Sequence, residues 1–204
     1  MCEPVPGKGH CGSLKADGMF RMGSLLGQLL VSSPALQDPN FAQTIVLMVQ
    51  HNEQGALGLI LNRPTDTTIS EAWQQVRGTP CTCQDRLHHG GPCEGPLMVV
   101  HVHESVSQLE VLSGVYFSTD RENIEWLIEQ NDDPIKFYVG CSGWAPGQLE
   151  SELKTGSWLT IPATFEHVFE AVEDQWLAVT KQIARSIASS TLNPRIVPED
   201  PSLN

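Results

Sequence analysis

The chain has 204 residues, of which 40% are hydrophobic and 18% are charged, and this length and composition favour a single globular domain. Twelve Lys+Arg against 24 Asp+Glu give a formal net charge of −12. Nucleic-acid binding depends on cations that replace counterions at phosphates, so this charge counts against it. The longest apolar run, 45–49, is far shorter than the roughly 18 residues that cross a bilayer. Residues 1–16 also lack the apolar segment of a secretory signal, so we expect a cytoplasmic protein that does not contact membranes.

The two ends of the chain differ in composition from its middle. Residues 1–22 are rich in glycine and show no apolar periodicity, which predicts a flexible N-terminal arm. Serine, proline and acidic residues predict a disordered C-terminal tail over 189–204. We therefore expect one continuous domain over 23–188.

Runs of β-branched and aliphatic residues predict eight strands. The polar turn at 52–55 joins the second and third strands as a hairpin. Between the third and fourth strands, 78–92 is rich in turn residues and is predicted to be a long loop. The predicted strands are 28–32, 44–50, 56–61, 97–103, 109–112, 115–118, 135–139 and 157–161.

Apolar residues at helical spacing predict four helices. Thr67 and Thr68 are candidate caps for the first helix, and Asp120 for the second. The fourth helix carries an apolar stripe that we expect to pack on the body of the domain. Hairpins in the first half and helices between later strands favour the α+β class over a regular parallel array. The helices are marked by Ile69, Trp73 and Val76; by Ile124, Leu127 and Ile128; by 149–153; and, over 166–187, by Val172, Trp176, Val179, Ile183 and Ile187.

The most distinctive motif is a glycine-rich turn, in which Gly140, Gly143 and Gly147 surround Trp144 directly after a predicted strand. Such a turn predicts a strand that ends sharply and leads into a helix near Gln148. Three further motifs precede it in the chain: Asp-Pro-Asn-Phe at 38–41, a glycine-containing segment at 55–64 that ends in Leu-Asn-Arg-Pro, and Gly-Gly-Pro at 90–92.

With these motifs in this order, the chain resembles the bacterial YqgE/AlgH family over about residues 22–187. The resemblance implies a single α+β domain, in which a mixed, largely antiparallel, bifurcated sheet forms a pseudo-barrel flanked by helices. The family has been proposed to include transcriptional regulators. The resemblance implies no reaction, so candidate sites are sought among the residues themselves.

Loop signals after two strand ends suggest a ligand site. Arg63 offers a planar fork that can hold a carboxylate or phosphate, while Trp144 and Gln148 supply an aromatic wall and an amide. We therefore predict a pocket for an anionic small molecule. In the alternative interpretation, Arg63 braces a loop through carbonyls or Asp38, and the glycines allow tight backbone packing. The predicted pocket residues are Asn62, Arg63, Gly91, Gly143, Trp144 and Gln148.

Cysteine and histidine residues suggest further chemistry. Possible zinc ligands cluster within 81–93, but the first pair is separated by one residue instead of the usual two, so a surface loop is favoured and no metal is assigned. Cys141 lies at a strand-to-turn junction but lacks the spacing of a nucleophile elbow. His101 and His103 alternate along one strand and therefore share a face. The clustered residues are Cys81, Cys83, His88, His89 and Cys93.

The sequence contains no assembled nucleophile and base, no phosphate loop and no strong metal motif, so no catalytic residue, metal or cofactor is assigned. We predict a non-catalytic regulatory or binding protein that recognises a small molecule or a protein partner, with transcriptional regulation as one such role. Direct binding to nucleic acid or membrane is not expected. The alternative is an enzyme, a hydrolase or a thiol-dependent redox protein, that uses Cys141 or a nearby histidine, His51 or His103.

Overall fold

The computed structural model describes residues 23–78, 81–130, 133–170 and 172–191. The predicted arm and most of the predicted tail lie outside these ranges. No helix within them is long and apolar enough to span a membrane. The strands are β1 (Gln28–Ser32), β2 (Ile45–Asn52), β3 (Gly55–Ile60), β4 (Pro64–Thr68), β5 (Arg86–His89), β6 (Met98–His101), β7 (Leu109–Leu112), β8 (Val115–Ser118), β9 (Lys136–Val139), β10 (Ser142–Trp144) and β11 (Trp158–Pro162). The helices are α1 (Ile69–Arg77), α2 (Arg121–Ile128), α3 (Gln148–Lys154), α4 (Phe165–Phe169) and α5 (Gln175–Thr191), with a 3₁₀ turn at Glu104–Val106.

The strands form two sheets, and the predicted α+β class is confirmed. The five-stranded sheet has the order β10-β3-β2-β1-β11, and the six-stranded sheet has the order β4-β5-β9-β6-β8-β7. Every pair is antiparallel except β5 with β9. Among the described strands, no pairing closes either sheet into a ring. The expected pseudo-barrel is therefore a pair of facing open sheets.

The five-stranded sheet is buried on both faces. Along β2, Ile45, Leu47 and Val49 join the central core between the two sheets, whereas Val46 and Met48 join a second core on the opposite face. None of the five is more than 1% exposed. Since successive side chains of a strand point to opposite faces, burial of both faces explains why β2 is a continuous apolar run.

Helices cover the outer face of the six-stranded sheet. Val100 and Tyr138 point into the central core, while the neighbouring Val99 and Phe137 pack outward in a third core. That third core includes Leu127 of α2. The predicted cap of α1 is confirmed, because the Thr68 hydroxyl accepts from the backbone N–H of Glu71, whose side chain accepts from the N–H of Thr68.

The two sheets share a seam, where the chain crosses from one sheet to the other. β3 leads into β4, and β9 leads into β10 through Gly140, whose φ is 70°. Across the seam, the Ile60 N–H donates to the Gly90 carbonyl at 2.9 Å. A Cβ atom at Gly91, whose φ is 150°, would overlap the backbone of Cys141. Glycine at these positions therefore allows one sheet's backbone to pack directly against the other's.

Three parts of the fold differ from the prediction. The prediction of a loop over 78–92 is wrong at Arg86–His89, which forms β5. The side chains of β5 are mostly polar and do not show the apolar pattern of a strand, but pairing with β4 and β9 stabilises the strand. The sequence did not indicate β4 and β10, because Pro-Thr-Asp-Thr-Thr and Ser-Gly-Trp are typical of turns. The helix predicted over 166–187 is two helices, interrupted before α5 where Asp174 has a φ of 50°.

The last helix, α5, packs on the body of the domain through Trp176, Val179 and Ile183, whereas the outer members of the predicted stripe, Val172 and Ile187, are 48% and 57% exposed. Val179 and Ile183 are buried in the central core, and Trp176 packs beside them. The indole N–H of Trp176 also donates to the Ser32 carbonyl at 2.9 Å, which ties α5 to β1. The helix continues to Thr191, inside the segment that the sequence predicts to be disordered.

Candidate functional site: a cleft between the sheets

Two of the predicted pocket residues, Asn62 and Arg63, hold a neighbouring turn. The Asn62 amide donates to the Gln43 carbonyl at 2.8 Å, and its oxygen accepts from the Ile45 N–H at 3.0 Å. The Arg63 guanidinium donates to the Ala42 carbonyl at 3.3 Å and to a second carbonyl of the same turn at 3.4 Å. These contacts are the bracing role described by the alternative interpretation.

Trp144 and Gln148 contact a single carboxylate. One Glu152 oxygen accepts from the indole N–H groups of Trp144, at 3.0 Å, and Trp158, at 2.8 Å. The other oxygen accepts from the Gln148 amide at 2.8 Å. The Phe41 ring packs on both tryptophans, with centroids 6.1 and 5.4 Å away. We call Phe41, Trp144, Trp158 and Glu152 the aromatic cluster.

The remaining predicted pocket residues lie along the seam. Gly91 packs on the backbone of Cys141, and Gly143 pairs with Leu57 between β10 and β3. The structure therefore places the six residues in three groups: at the turn, in the aromatic cluster and at the seam. Phe41 belongs to the same turn that Arg63 holds, so the turn connects the first two groups. Binding of an anion by the six residues stays a prediction.

A surface cleft of about 420 Å³ opens between the two sheets, and none of the six predicted residues lines it. β2 and β3 supply one wall, and β6, β7 and β8 supply the other. A short segment at 94–96 forms an edge, and Cys141 contributes from the seam. The lining residues are Val49, Gln50, Leu57, Glu94, Gly95, Pro96, Met98, Gln108, Leu109, Phe117, Thr119 and Cys141.

The walls of this cleft are apolar, and its polar groups lie mainly toward the edge. Among the described residues, Gln50 and Glu94 are exposed, and neither side chain has a hydrogen bond or ion pair to another described residue. The Gln108 side chain, in contrast, accepts from the backbone N–H and hydroxyl of Thr119. Glu94 is the sole charged residue among those that line the cleft. The cleft therefore suits an apolar group that carries no negative charge.

Sequence reasoning did not find the cleft because its lining comes from five strands and four connecting segments. Met98 and Phe117 are ordinary strand residues with no motif around them, and Leu57 lies in the 55–64 motif, which gives no local sign of a cleft. Of the lining residues, only Cys141 was considered, as a candidate nucleophile. Burial, followed by the neighbouring Cys93, raises the pKa of the Cys141 thiol. At neutral pH the thiol is therefore protonated, which is the opposite of what a nucleophile needs.

The histidines named in the enzyme hypothesis do not line the cleft. Nδ1 of His51 accepts from the Leu25 N–H at 3.0 Å, and its Nε2 lies 3.0 Å from a Glu150 carboxylate oxygen. His51 thereby links the start of the domain to α3. Nε2 of His103 lies 3.1 Å from an Asp133 carboxylate oxygen, without hydrogen-bond geometry.

His101 and His103 stack, with ring centroids 6.3 Å apart, as expected for residues that share a face. The Ser118 hydroxyl donates to the Val106 carbonyl at 2.6 Å, so it accepts from Nε2 of His101 at 3.0 Å. Nδ1 of His101 accepts from the His103 N–H at 3.2 Å. His101 is therefore neutral, with its proton on Nε2. Burial, followed by the nearby His103, lowers its pKa to about 4.

The cysteine and histidine residues within 81–93 do not converge. Among the described residues, no three His, Cys, Asp or Glu side chains are placed to hold a metal ion. Cys83 is buried beneath α1, and its pKa is raised to about 11, chiefly by burial. His88 belongs to β5 and packs against Tyr138 with ring centroids 5.4 Å apart. Cys93 instead lies at the seam, opposite Cys141.

The chain is thus an α+β protein in which two open sheets share a glycine seam and enclose a surface cleft. The chain belongs to the AlgH-like family, because the family model DUF179, described as AlgH-like, matches residues 29–188. The UPF0301 protein of Chlorobium limicola is 38% identical over 190 residues, which cover 87% of this chain and 95% of that protein. The UPF0301 protein of Xanthomonas campestris pv. campestris is 39% identical over 171 residues, which cover 78% and 89%.

Two solved structures share the fold. The solution structure of the AlgH protein from Pseudomonas aeruginosa matches with a TM-score of 0.69 and 31% identity, covering 82% of this chain and 93% of that one. The crystal structure of protein DIP2367 from Corynebacterium diphtheriae matches with a TM-score of 0.65 over 80% and 90% of the chains. At 22% identity, the second likeness concerns the fold alone. These names state no ligand or reaction, so function is argued from the cleft.

Proposed function

We propose that this protein is a non-catalytic binding protein, which takes an apolar group of a small molecule or of a protein partner into the cleft between its sheets. The observation that carries the proposal is the cleft itself, with apolar walls from both sheets and few polar groups. This is the usual composition of a small-molecule site, and a volume of about 420 Å³ lies within the common range of roughly 300–1,000 Å³.

The charge of the cleft restricts the class of ligand. Glu94 at the edge and the formal net charge of −12 both repel anions. We therefore propose a neutral or cationic ligand for the cleft. An anionic ligand at Asn62, Arg63 and Trp144, as predicted from the sequence, would be a separate site.

The rival proposal, an enzyme that uses Cys141, makes a different prediction about thiol reactivity. Because the pKa of Cys141 is raised, we expect iodoacetamide to alkylate this residue more slowly at pH 7 than it alkylates a thiol in an unstructured peptide. Peptide mapping by mass spectrometry measures the rate at Cys141 itself. Faster alkylation at Cys141 than in the peptide would favour the enzyme.

Nile red, a neutral apolar dye, provides a direct test of cleft binding. A Cβ atom at Gly95 would lie 3.6 Å from the Met98 side chain and 3.9 Å from the Cys141 sulfur, which are ordinary contacts. Gly95→Leu should therefore fill the cleft without backbone strain. The matched control is Gly23→Leu, since nothing lies within 4 Å of a Cβ atom at Gly23.

We expect Nile red fluorescence to rise with the wild type and with Gly23→Leu, and to fall at least several-fold with Gly95→Leu. Equal fluorescence for all three proteins would overturn binding in the cleft. A thermal-shift screen of metabolites with the same variants would then identify the ligand, because saturation at 100 times the dissociation constant stabilises a protein by roughly 2.7 kcal/mol.

In transcriptional regulation, we propose that the protein acts indirectly, through that ligand or a protein partner. The acidic net charge supports an indirect route. Salt-dependent binding of the purified protein to duplex DNA in a mobility-shift assay would contradict it. The cytoplasmic location stays a prediction, which cell fractionation can test.

A further inference from the structure

Cys93 and Cys141 lie directly opposite each other across the seam. They form an isolated antiparallel bridge, in which each backbone N–H donates to the other residue's carbonyl at 2.9 Å. In such a hydrogen-bonded pair the Cα atoms are about 5.5 Å apart. That separation lies within the range of roughly 4.4–6.8 Å that disulfides span.

The two thiols also project from the same face of the seam, since directly opposed residues of an antiparallel pair do so. A Cβ atom at Gly143 would lie 3.6 Å from the Cys93 sulfur, and a Cβ atom at Gly95 would lie 3.9 Å from the Cys141 sulfur. Each sulfur thus lies beside a glycine of the opposing segment, which contributes no side chain of its own there. Formation of a disulfide requires the two side chains to rotate toward each other and the two Cβ atoms to approach slightly.

We propose that Cys93 and Cys141 are an oxidative modification site, at which a peroxide converts the two thiols to an intramolecular disulfide. Both are free thiols in the structure. The inference is independent of any cleft ligand. It does change the cleft, because Cys141 lines it and Cys93 immediately precedes its edge at 94–96.

Exposure assigns the order of the two steps. Cys93 is exposed and Cys141 is partly buried, so Cys93 reacts first. The Cys93 thiolate attacks hydrogen peroxide, the O–O bond breaks, and a sulfenic acid forms. The released hydroxide takes a proton and leaves as water. The Cys141 thiolate then attacks the Cys93 sulfur, the S–S bond forms, and the sulfenic oxygen leaves as a second water. Two thiols and one peroxide thus give one disulfide and two waters. Because the pKa of Cys141 is raised, the second step should accelerate as the pH rises.

The full chain allows a direct test, because trypsin separates the relevant cysteines. Cleavage after lysine and arginine places Cys93 in peptide 87–121, Cys141 in peptide 137–154, and Cys81 with Cys83 in peptide 78–86. Dilute protein is treated with one equivalent of hydrogen peroxide, blocked with iodoacetamide, digested and analysed by mass spectrometry without reductant. We expect a crosslink between 87–121 and 137–154 that lacks two hydrogen atoms and disappears after reduction.

Matched variants decide whether the pairing is specific. Cys93→Ser and Cys141→Ser should each abolish the crosslink, whereas Cys81→Ser should leave its yield unchanged. In the wild type, oxidation should also raise the urea midpoint of unfolding, since the crosslink constrains the unfolded chain, and this readout uses no variant that could fail to fold. The proposal is overturned if Cys93 accumulates as sulfinic acid beside a free Cys141, or if either cysteine pairs with peptide 78–86 or with a second chain.

Discussion

The aromatic cluster and the cleft lie on opposite faces of the five-stranded sheet and have opposite properties. In the cluster, Trp144 and Trp158 are almost fully buried, and both indole N–H groups donate to Glu152. In the cleft, Leu57 and Cys141 are partly exposed beside a space of about 420 Å³. Because side chains alternate along a strand, one segment stabilises the fold on one face and leaves an open surface on the other.

The largest expected difference between the two regions concerns truncation of their apolar side chains. Trp158 is 4% exposed and packs on both Phe41 and Trp144, so Trp158→Ala should lower the free energy of unfolding by about 3–5 kcal/mol. Leu109 in the cleft wall is partly exposed, and Leu109→Ala should lower it by only about 1 kcal/mol. Urea unfolding measures both values. Equal losses would mean that the cleft wall is packed as tightly as the cluster.

Removal of the shared carboxylate should have the next largest effect. Glu152→Ala deprives two indole N–H groups and the Gln148 amide of their acceptor, so it should lower the free energy of unfolding by about 2–3 kcal/mol. Glu110→Ala, which removes an exposed carboxylate in β7, serves as the matched control and should change stability by less than about 0.5 kcal/mol. If the two variants lose equal stability, Glu152 does not organise the cluster.

Acid should weaken the six-stranded sheet in particular, because that sheet carries His101 and the aromatic cluster has no histidine. The pKa of His101 is about 4 in the folded protein and about 6.5 in the unfolded chain. The unfolded chain therefore binds the proton first, so this stability is complete above pH 6.5 and is lost as the pH falls toward 4. Between pH 7 and 4.5 the loss should be about 2 kcal/mol.

Urea unfolding of His101→Gln at both pH values isolates this contribution from that of His88, whose pKa is also lowered to about 4, chiefly by burial. We expect the loss of stability between pH 7 and 4.5 to be about 2 kcal/mol smaller in the variant than in the wild type. An unchanged pH dependence would show that His101 is not the group that titrates.

The variant with the smallest expected loss of stability, Arg63→Ala, distinguishes a bracing role of Arg63 from a role in anion binding. Arg63→Ala removes two long hydrogen bonds to backbone carbonyls, and should lower the free energy of unfolding by about 1 kcal/mol without changing Nile red fluorescence. The opposite result would support the pocket predicted from the sequence: calorimetry would show that the wild type binds phosphate and that Arg63→Ala does not, while the two proteins have equal stability.

The sequence by itself determined most of the secondary structure and the family. β1, β7, β8 and the hairpin of β2 and β3 follow from apolar runs and turn residues, because local periodicity and turn chemistry act within a few residues. The caps Thr68 and Asp120 were also found, since a helix start depends on side chains three residues apart. The buried stripe of α5 follows from the same local spacing.

Tertiary structure alone decided the positions of β4, β5 and β10, the location of the cleft and the pairing of Cys93 with Cys141. A short polar segment becomes a strand only when its backbone finds partners from distant parts of the chain, as β5 does between β4 and β9. The cleft and the cysteine pair likewise depend on how two sheets meet at one seam. No local pattern encodes that meeting, because its contacts join residues that lie about fifty positions apart.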